Sequence, residues 1–119
     1  MIIHYDRKID TKLLNDVSKI LVVFISSVQA NIRYLGLEAM CRLAIKHNLS
    51  DHQTKILANL DDNDISIRRR ALDLLYLICN SKNVSVIVAG LLGYLENRND
   101  PLILDDLVLK IAVLAEKFA

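Results

Sequence analysis

The chain has 119 residues, of which 53% are hydrophobic and 24% charged, with only one proline and three glycines. This composition favours a folded, largely helical protein and excludes an intrinsically disordered chain. The formal net charge of +1 gives no overall field that would attract nucleic acid or an anionic membrane. The longest unbroken apolar runs, residues 20–25 and 74–79, are too short to span a bilayer.

The first part of the chain predicts two amphipathic helices. Apolar residues recur every three or four positions over Thr11–Ile25 and again over Asn31–Lys46, with the turn Ser26–Ala30 between them. Gly36 lies within the second helix, where a close contact with another helix is the usual reason for a glycine. The apolar faces predicted for these helices are Leu14, Val17, Ile20, Leu21 and Phe24 in the first, and Ile32, Leu35, Ala39, Met40 and Leu43 in the second.

A capping box predicts a short third helix. Ser50 and Gln53 are three residues apart, the spacing at which each side chain can accept the other's backbone N–H. The helix that follows would turn Ile56, Leu57 and Leu60 towards the core.

The acidic turn at residues 61–64 leads into a longer helix, which is predicted to run to Asn80. Asp64 is expected to cap this helix by accepting a backbone N–H of its first turn. Arg68 follows Asp64 by four residues, a spacing that brings opposite charges together on one helix face. Asp73 follows Arg69 by the same spacing. The apolar stripe predicted here is Leu72, Leu75 and Cys79, with Ala71, Leu74 and Ile78 beside it.

Two further helices are predicted at the end of the chain. The β-branched run 84–88 would suit a strand, but its apolar continuation is too long for one, so the segment Asn83–Glu96 is predicted as a helix. Asp100 is expected to cap the last helix, with Pro101 at its first position. Asp106 and Lys110 have the spacing of a supporting ion pair. The last helix carries the apolar series Leu104, Leu107, Val108, Ile111, Leu114 and Phe118.

The same pattern of polar turn and amphipathic helix occurs three times. An offset of 35 residues aligns Ser66–Arg68 with Asn31–Arg33, and an offset of 36 aligns Asn63–Asp64 with Asn99–Asp100. Helix pairs that repeat at this period stack into a solenoid. The sequence therefore predicts an all-α fold, a right-handed α-solenoid of HEAT-like or armadillo-like pairs with about six helices.

The chain contains no pattern that indicates catalysis or a cofactor. It has no phosphate-binding glycine loop and no local nucleophile motif. His47, Asp51 and His52 lie close together in sequence, but a structural metal site needs more and better-spaced ligands. The aspartates at 61, 62 and 64 lack the glycine and terminal glutamate of a calcium loop, so helix capping is the favoured interpretation. We therefore expect no enzyme activity, no metal and no cofactor.

The run Arg68–Arg70 is the only basic cluster, and three consecutive helical residues cannot all face one partner. Arg68 is expected to pair with Asp64 and with neighbouring repeats, in a polar ladder along the stack. Arg69 and Arg70 are then either solvated, paired with Asp73, or bound to a partner or a phosphate. The residues predicted for capping and for the ladder are Asp64, Arg68, Asp73, Arg33 and Asp100.

The two cysteines, Cys41 and Cys79, both lie on apolar helix faces. Buried free thiols in a reducing compartment are the expected state, because disulfides are rare in the cytosol. The start of the chain lacks the pattern of a signal peptide, and the protein is expected to be intracellular.

Three separated segments resemble the trunk of a clathrin-adaptor large chain, or adaptin. They are Asn31–Cys41 (NIRYLGLEAMC), Arg70–Tyr76 (RALDLLY) and Val108–Ala119 (VLKIAVLAEKFA). Within that family the chain is most similar to the alpha-adaptins of the plasma-membrane adaptor, a preference carried by Ile2–Asp6 and by Ala115–Lys117. The middle segment, Leu60–Tyr76, is about as similar to delta-adaptin.

The resemblance implies that residues 1–119 are a fragment of an adaptin N-terminal trunk, with Met1–Asp6 starting inside a helix. The expected role is structural, as a scaffold in clathrin-mediated endocytosis and vesicular protein transport. Expected partners of the parent protein are a beta-adaptin and the medium and small chains, with the clathrin coat and the membrane contacted indirectly and no nucleic acid. The expected location is cytoplasmic, at the periphery of membranes in coated pits.

Three alternatives remain open at this stage. The parent is another adaptor large chain such as delta-adaptin on endosomal or Golgi membranes, a HEAT-type regulatory scaffold for a kinase or phosphatase, or a nucleic-acid-binding solenoid that uses Arg68–Arg70. The near-neutral charge counts against the third. Because a cut solenoid exposes apolar stacking faces, the fragment is expected to self-associate weakly through its Met1 and Ala119 ends.

Overall fold

The computed structural model describes residues 7–97 and 101–118, with side chains described from residue 12 onward. These residues contain no strand, which confirms the all-α solenoid of about six helices. Two short 3-10 helices, Ser50–His52 and Asn59–Asp61, flank the third α-helix. The helices are α1 (Arg7–Ile25), α2 (Ala30–Ala44), α3 (Gln53–Ala58), α4 (Ile65–Ile78), α5 (Val84–Asn97) and α6 (Leu104–Lys117).

The helices form three consecutive pairs arranged in two layers. Helices α1, α3 and α5 contact one another in sequence order, and α2, α4 and α6 form the second layer. Within each pair, the two helices also pack against each other across the layers. Each pair buries its apolar face against its neighbours, which is how a helical solenoid forms its continuous core.

Helix α4 lies at the centre of this core. Ile67, Ala71, Leu72, Leu74 and Leu75 are fully buried on it, at spacings that cover more than one face of a helix. Helix α4 needs this wide apolar surface because it contacts α2, α3 and α6. Burying a leucine or isoleucine side chain contributes about 1.5–3 kcal/mol.

The apolar faces predicted for α1, α2 and α6 are partly wrong. Ile20, Leu35 and Val108 are exposed, whereas Leu37, which was not predicted, is fully buried. In α2 the buried side centres on Leu37 and Met40, because this helix packs against both α1 and α4. Helical spacing finds an apolar stripe, but the neighbouring helices decide which edge of the stripe is covered.

The predicted end of α1 at Ile25 is confirmed, and the other described helix boundaries differ from the predicted ones by up to four residues. Helix α2 ends at Ala44 rather than Lys46, and α4 ends at Ile78 rather than Asn80. The capping box at Ser50 is also wrong. Residues 50–52 form a 3-10 helix, and His52, at the N-cap of α3, makes no side-chain capping bond. Asn48 Oδ1 accepts the backbone N–H of Ser50 at 2.9 Å, so an asparagine turn replaces the box.

The segment with the β-branched run is a helix, as predicted. It begins after Asn83, whose side-chain oxygen accepts the N–H of Asn80 at 2.7 Å and whose carbonyl accepts that of Ile87 at 3.0 Å. Ile87, Leu91 and Tyr94 are buried at helical spacing. Packing of α5 against α3 and α6 overrides the local strand propensity.

The start of the last helix differs from the prediction. Helix α6 begins at Leu104 with Ile103 at its N-cap, and 101–103 form a turn. Pro101 is therefore not the first helical residue. Asp100, predicted as the cap, lies outside the described residues, as do Met1–Asp6 and Ala119, at the ends through which self-association was predicted.

Candidate functional site

The first polar contact between repeats joins α2 to the acidic turn before α4. Arg33 Nε donates to Asp62 Oδ2 at 2.6 Å, and Arg33 Nη2 donates to Asp62 Oδ1 at 3.3 Å, a two-pronged ion pair. The Asp62 side chain is only 7% exposed and that of Arg33 22%. Because this ion pair is shielded from solvent and makes two hydrogen bonds, it holds the second repeat against the first. The sequence predicted a role for Arg33 but did not identify its partner.

Arg33 and Arg68 make the same contact within their own repeats. Arg33 Nη1 donates to the carbonyl of Ser27 at 2.9 Å, and Arg68 Nη1 donates to the carbonyl of Asp62 at 2.8 Å. Both acceptors lie six residues before the arginine, so the offset that aligns the two arginines also aligns their acceptors. Arg68, which is buried, also donates to the carbonyl of Asn63 at 3.1 Å. A guanidinium in this position provides hydrogen-bond donors to carbonyls of the turn.

The carboxylates of the acidic turn have different tasks. Asp64 lies at the N-cap of α4, and its Oδ1 accepts the N–H of Ser66 at 2.8 Å. Asp62 Oδ1 accepts the N–H of Asp64 at 3.0 Å. Burial by itself would raise the pKa of Asp62, but the hydrogen bonds from Arg33 and Asp64 and the charges of Arg33 and Arg68 outweigh it and lower the pKa.

Arg69 and Arg70 reach in opposite directions along the stack. Arg69 Nη2 donates to the carbonyl of Leu102 at 2.7 Å, in the turn before α6. Arg70 Nη2 donates to the hydroxyl of Tyr34 on α2 at 3.1 Å, and its guanidinium carbon lies 5.6 Å from the centre of the Tyr34 ring. Arg69 is exposed and Arg70 half-buried. The two candidate partner-binding residues therefore link the second repeat to the third and to the first.

Asp73 pairs across the second repeat boundary. Its carboxylate lies 3.4 Å from Lys110 Nζ on α6, and the same Nζ lies 2.6 Å from Asp106, as the spacing of that pair predicted. Lys110 also lies 5.5 Å from the centre of the Tyr76 ring. Burial lowers the pKa of Lys110, but its bond to Asp106 and the charges of both aspartates raise it overall. Sequence spacing suggested Asp73 as an ion-pair partner of Arg69, because spacing detects partners only within one helix. In the structure the partner of Asp73 is Lys110, on the next repeat.

The thiols and histidines contribute no reactive centre among the described residues. Both cysteines are free and half-buried, and burial raises the pKa of Cys41 to about 11 and also raises that of Cys79. His52 Nε2 lies 3.4 Å from Ser18 Oγ. No group of His, Cys, Asp and Glu within the described ranges is arranged to hold a metal ion. No helix in the same ranges is long and apolar enough to cross a membrane.

These features define a class of protein, a helical-repeat protein with a polar face along α2, α4 and α6. Comparison with known proteins identifies the family. A family model described as the adaptin N terminal region matches residues 1–119, and the chain belongs to that family.

Relatives that match the chain are large subunits of adaptor complexes. The chain is 49% identical to AP-2 complex subunit alpha-2 of Dictyostelium discoideum and 43% identical to AP-2 complex subunit alpha-1 of Arabidopsis thaliana, in both cases over its whole length. It is 38% identical, over 92% of its length, to AP-4 complex subunit epsilon-1 of Homo sapiens. The alignments cover 12% of the two alpha subunits and 10% of the epsilon subunit.

Proposed function

We propose that this chain is a trunk segment of an alpha-type large subunit of a clathrin adaptor, with a structural role in endocytosis and vesicular protein transport. The observation that carries the proposal is identity of 43–49% to AP-2 alpha subunits over the whole chain. Identity to the epsilon subunit is lower and covers less of the chain. The similarity thus extends through all three repeats and favours the alpha type.

The fold supports a mechanical role. Helix pairs bound by a continuous core and by side-chain contacts between repeats form a stiff, extended surface on which other subunits can assemble. In this proposal the segment performs no catalysis. Its parent assembles with a beta-adaptin and with medium and small chains, and it works at the cytoplasmic side of coated membranes, with the clathrin coat and cargo contacted elsewhere in the complex.

The test is affinity purification of the tagged full-length parent from its own cells, followed by mass spectrometry. We expect recovery of the beta, medium and small chains of the plasma-membrane adaptor. Recovery of the AP-4 chains would replace the alpha assignment with an epsilon one, which the second group of relatives makes the main competitor. Recovery of delta-type partners, or of a kinase or phosphatase without adaptor chains, would overturn the proposal.

A further inference from the structure

A groove crosses the second layer over all three repeats. Three adjoining hollows form it. The first and second share Tyr34 and Ser66, and the second and third share Arg70 and Asp73. Arg69 lines the middle hollow, and Tyr76 and Lys110 line the last one. We call this feature the arginine groove. It is long enough to involve α2, α4 and α6 and therefore suits an extended segment better than a small molecule.

Three basic residues elsewhere on this layer pair with carboxylates. Arg33 pairs with Asp62, Arg42 with Glu38, and Lys110 with two aspartates. In the described part of the chain, Arg69 and Arg70 form no ion pair. Their hydrogen bonds go to neutral acceptors, a backbone carbonyl and a tyrosine hydroxyl.

Two positive charges on adjacent residues are thus held in place without being neutralised. A guanidinium has five N–H donors, and the contacts described above use one Nη of each arginine. Asp73 lines the same hollow as both arginines, but Lys110 lies 3.4 Å from its carboxylate. Asp64, which lines the first hollow, caps α4. These aspartates weaken the positive potential of the groove without occupying the guanidinium groups.

We propose that the arginine groove binds an extended, acidic segment of a partner protein, with carboxylates on Arg69 and Arg70. The planar guanidinium matches a carboxylate in a two-pronged geometry. Because Tyr34 holds Arg70 by a hydrogen bond and by its ring, little side-chain freedom is lost on binding. The half-buried position of Arg70 strengthens the attraction relative to bulk water. The inference does not depend on which adaptor contains the parent chain.

The arrangement favours a peptide over a membrane surface. Anionic lipids are bound by clusters of several lysines and arginines on an accessible face. Of the three described cations that line the groove, Lys110 is paired with aspartates and only Arg69 and Arg70 form no ion pair, and Asp64 and Asp73 line the hollows beside them. These aspartates would repel a continuous anionic surface, whereas a segment with spaced carboxylates can place its charges on the arginines alone.

The experiment measures fluorescence anisotropy of a labelled peptide of alternating Glu and Gly, at low salt, with the purified chain. The double variant Arg69→Gln and Arg70→Gln should weaken binding about tenfold or more, because it removes both charges and both two-pronged guanidinium groups. The matched control is Arg42→Gln, which removes the same kind of charge from an exposed side chain on α2 and should change Kd less than twofold. Arg70→Lys, which keeps the charge but loses the planar fork, should give an intermediate loss.

Thermal melting followed by circular dichroism confirms that each variant is folded. A Gln–Gly peptide that binds as well as the Glu–Gly peptide would overturn the proposal, as would equal weakening by Arg42→Gln. Failure of the wild-type chain to bind the acidic peptide would do the same. Binding to vesicles that contain phosphatidylinositol bisphosphate, lost in the double variant while the peptide does not bind, would assign the arginines to a lipid headgroup instead.

Discussion

The two boundaries between repeats are built differently. At the first, α2 and α4 pack extensively, and the shielded Arg33–Asp62 pair joins them. At the second, α4 and α6 meet at few positions, and the main charged contact is Lys110 with Asp73, whose side chain is 43% exposed. The same repeat pattern therefore gives one tightly packed boundary and one looser boundary, bridged by polar groups.

Differences at matching positions account for this contrast. The offset of 36 residues that aligns Ile67 with Ile103 places Leu104 opposite Arg68. The third repeat therefore lacks the arginine that closes the turn in the first two. At the second boundary, the large side chains of Tyr76 on α4 and Lys110 on α6 lie against each other, with the Lys110 nitrogen 5.5 Å from the centre of the ring. Large side chains with polar ends hold neighbouring helices apart.

The largest expected effect is the loss of stability when the carboxylate of Asp62 is removed at the first boundary. Removal of Asp73 at the second boundary is the matching change. Asp62→Ala should lower the free energy of unfolding by about 2–3 kcal/mol, because it leaves the Arg33 charge shielded and unpaired. Asp73→Ala should lower it by about 0.5 kcal/mol, because its partly exposed pair is screened by solvent. Urea denaturation of both variants measures the difference.

Hydrogen exchange locates these effects. Asp73→Ala should speed amide exchange in α6 only. Asp62→Ala should speed amide exchange in both α2 and α4, because loss of the Arg33–Asp62 pair weakens the contact between these helices. Equal losses of stability, or equal exchange patterns, would show that the two boundaries are equivalent.

Stability at low pH should depend on the first boundary. The folded-state pKa of Asp62 lies below its usual value, so its ionised form stabilises the fold above about pH 4, the usual unfolded pKa. That contribution is lost as the pH falls through the folded-state pKa. Asp62→Asn does not titrate at this position, so the wild type should lose its advantage over this variant as the pH falls below the usual unfolded pKa and through the lowered folded-state pKa of Asp62. Urea midpoints of the wild type and of Asp62→Asn, measured as the pH is lowered, test this prediction. A difference between the two midpoints that does not change with pH would contradict a lowered pKa of Asp62.

Two helical glycines should respond in opposite directions to alanine. A Cβ at Gly36 would lie 2.8 Å from Phe24 Cβ and 3.2 Å from the backbone nitrogen of Ile25, so Gly36→Ala should destabilise the fold by about 1–2 kcal/mol. A Cβ at Gly93 would meet no atom within 4 Å other than those of its chain neighbours and its own helix backbone, so Gly93→Ala should stabilise α5 by about 1 kcal/mol through helix propensity. Melting temperatures of the two variants give the signs directly. Destabilisation by both would show that Gly93, like Gly36, lies in a close contact.

The fold could be predicted from the sequence because its determinants are local and repeated. Helical spacing, the acidic turn and the offset between copies identify the helices of a solenoid, including α5 against its strand propensity. The buried face of α2 could not be predicted, because Leu35 and Leu37 are both apolar. Only the packing of α2 against α1 and α4 determines that Leu37 is the buried one.

The polar contacts between repeats were harder to predict than the helices. Sequence spacing identifies pairs within one helix, such as Asp106 with Lys110. It does not identify Asp62 as the partner of Arg33, or Lys110 as the partner of Asp73, because these pairs join different repeats. An alignment of the repeats with one another suggests which side chains occupy matching positions, but the distance between neighbouring repeats has to come from the structure.

The smallest expected change in stability comes from substitutions at the starts of α4 and α6, the helices on either side of the second boundary. Asp64 accepts the N–H of Ser66 at the N-cap of α4, so Asp64→Ala should lower the free energy of unfolding by about 1 kcal/mol. Helix α6 has no side-chain capping bond at Ile103, and its exposed first-turn Asp105 acts only through the helix dipole. Asp105→Ala is therefore the control, with an expected loss of about 0.3 kcal/mol. If urea midpoints show equal losses, Asp64 acts as a charge near the helix end and its hydrogen bond contributes no additional stability.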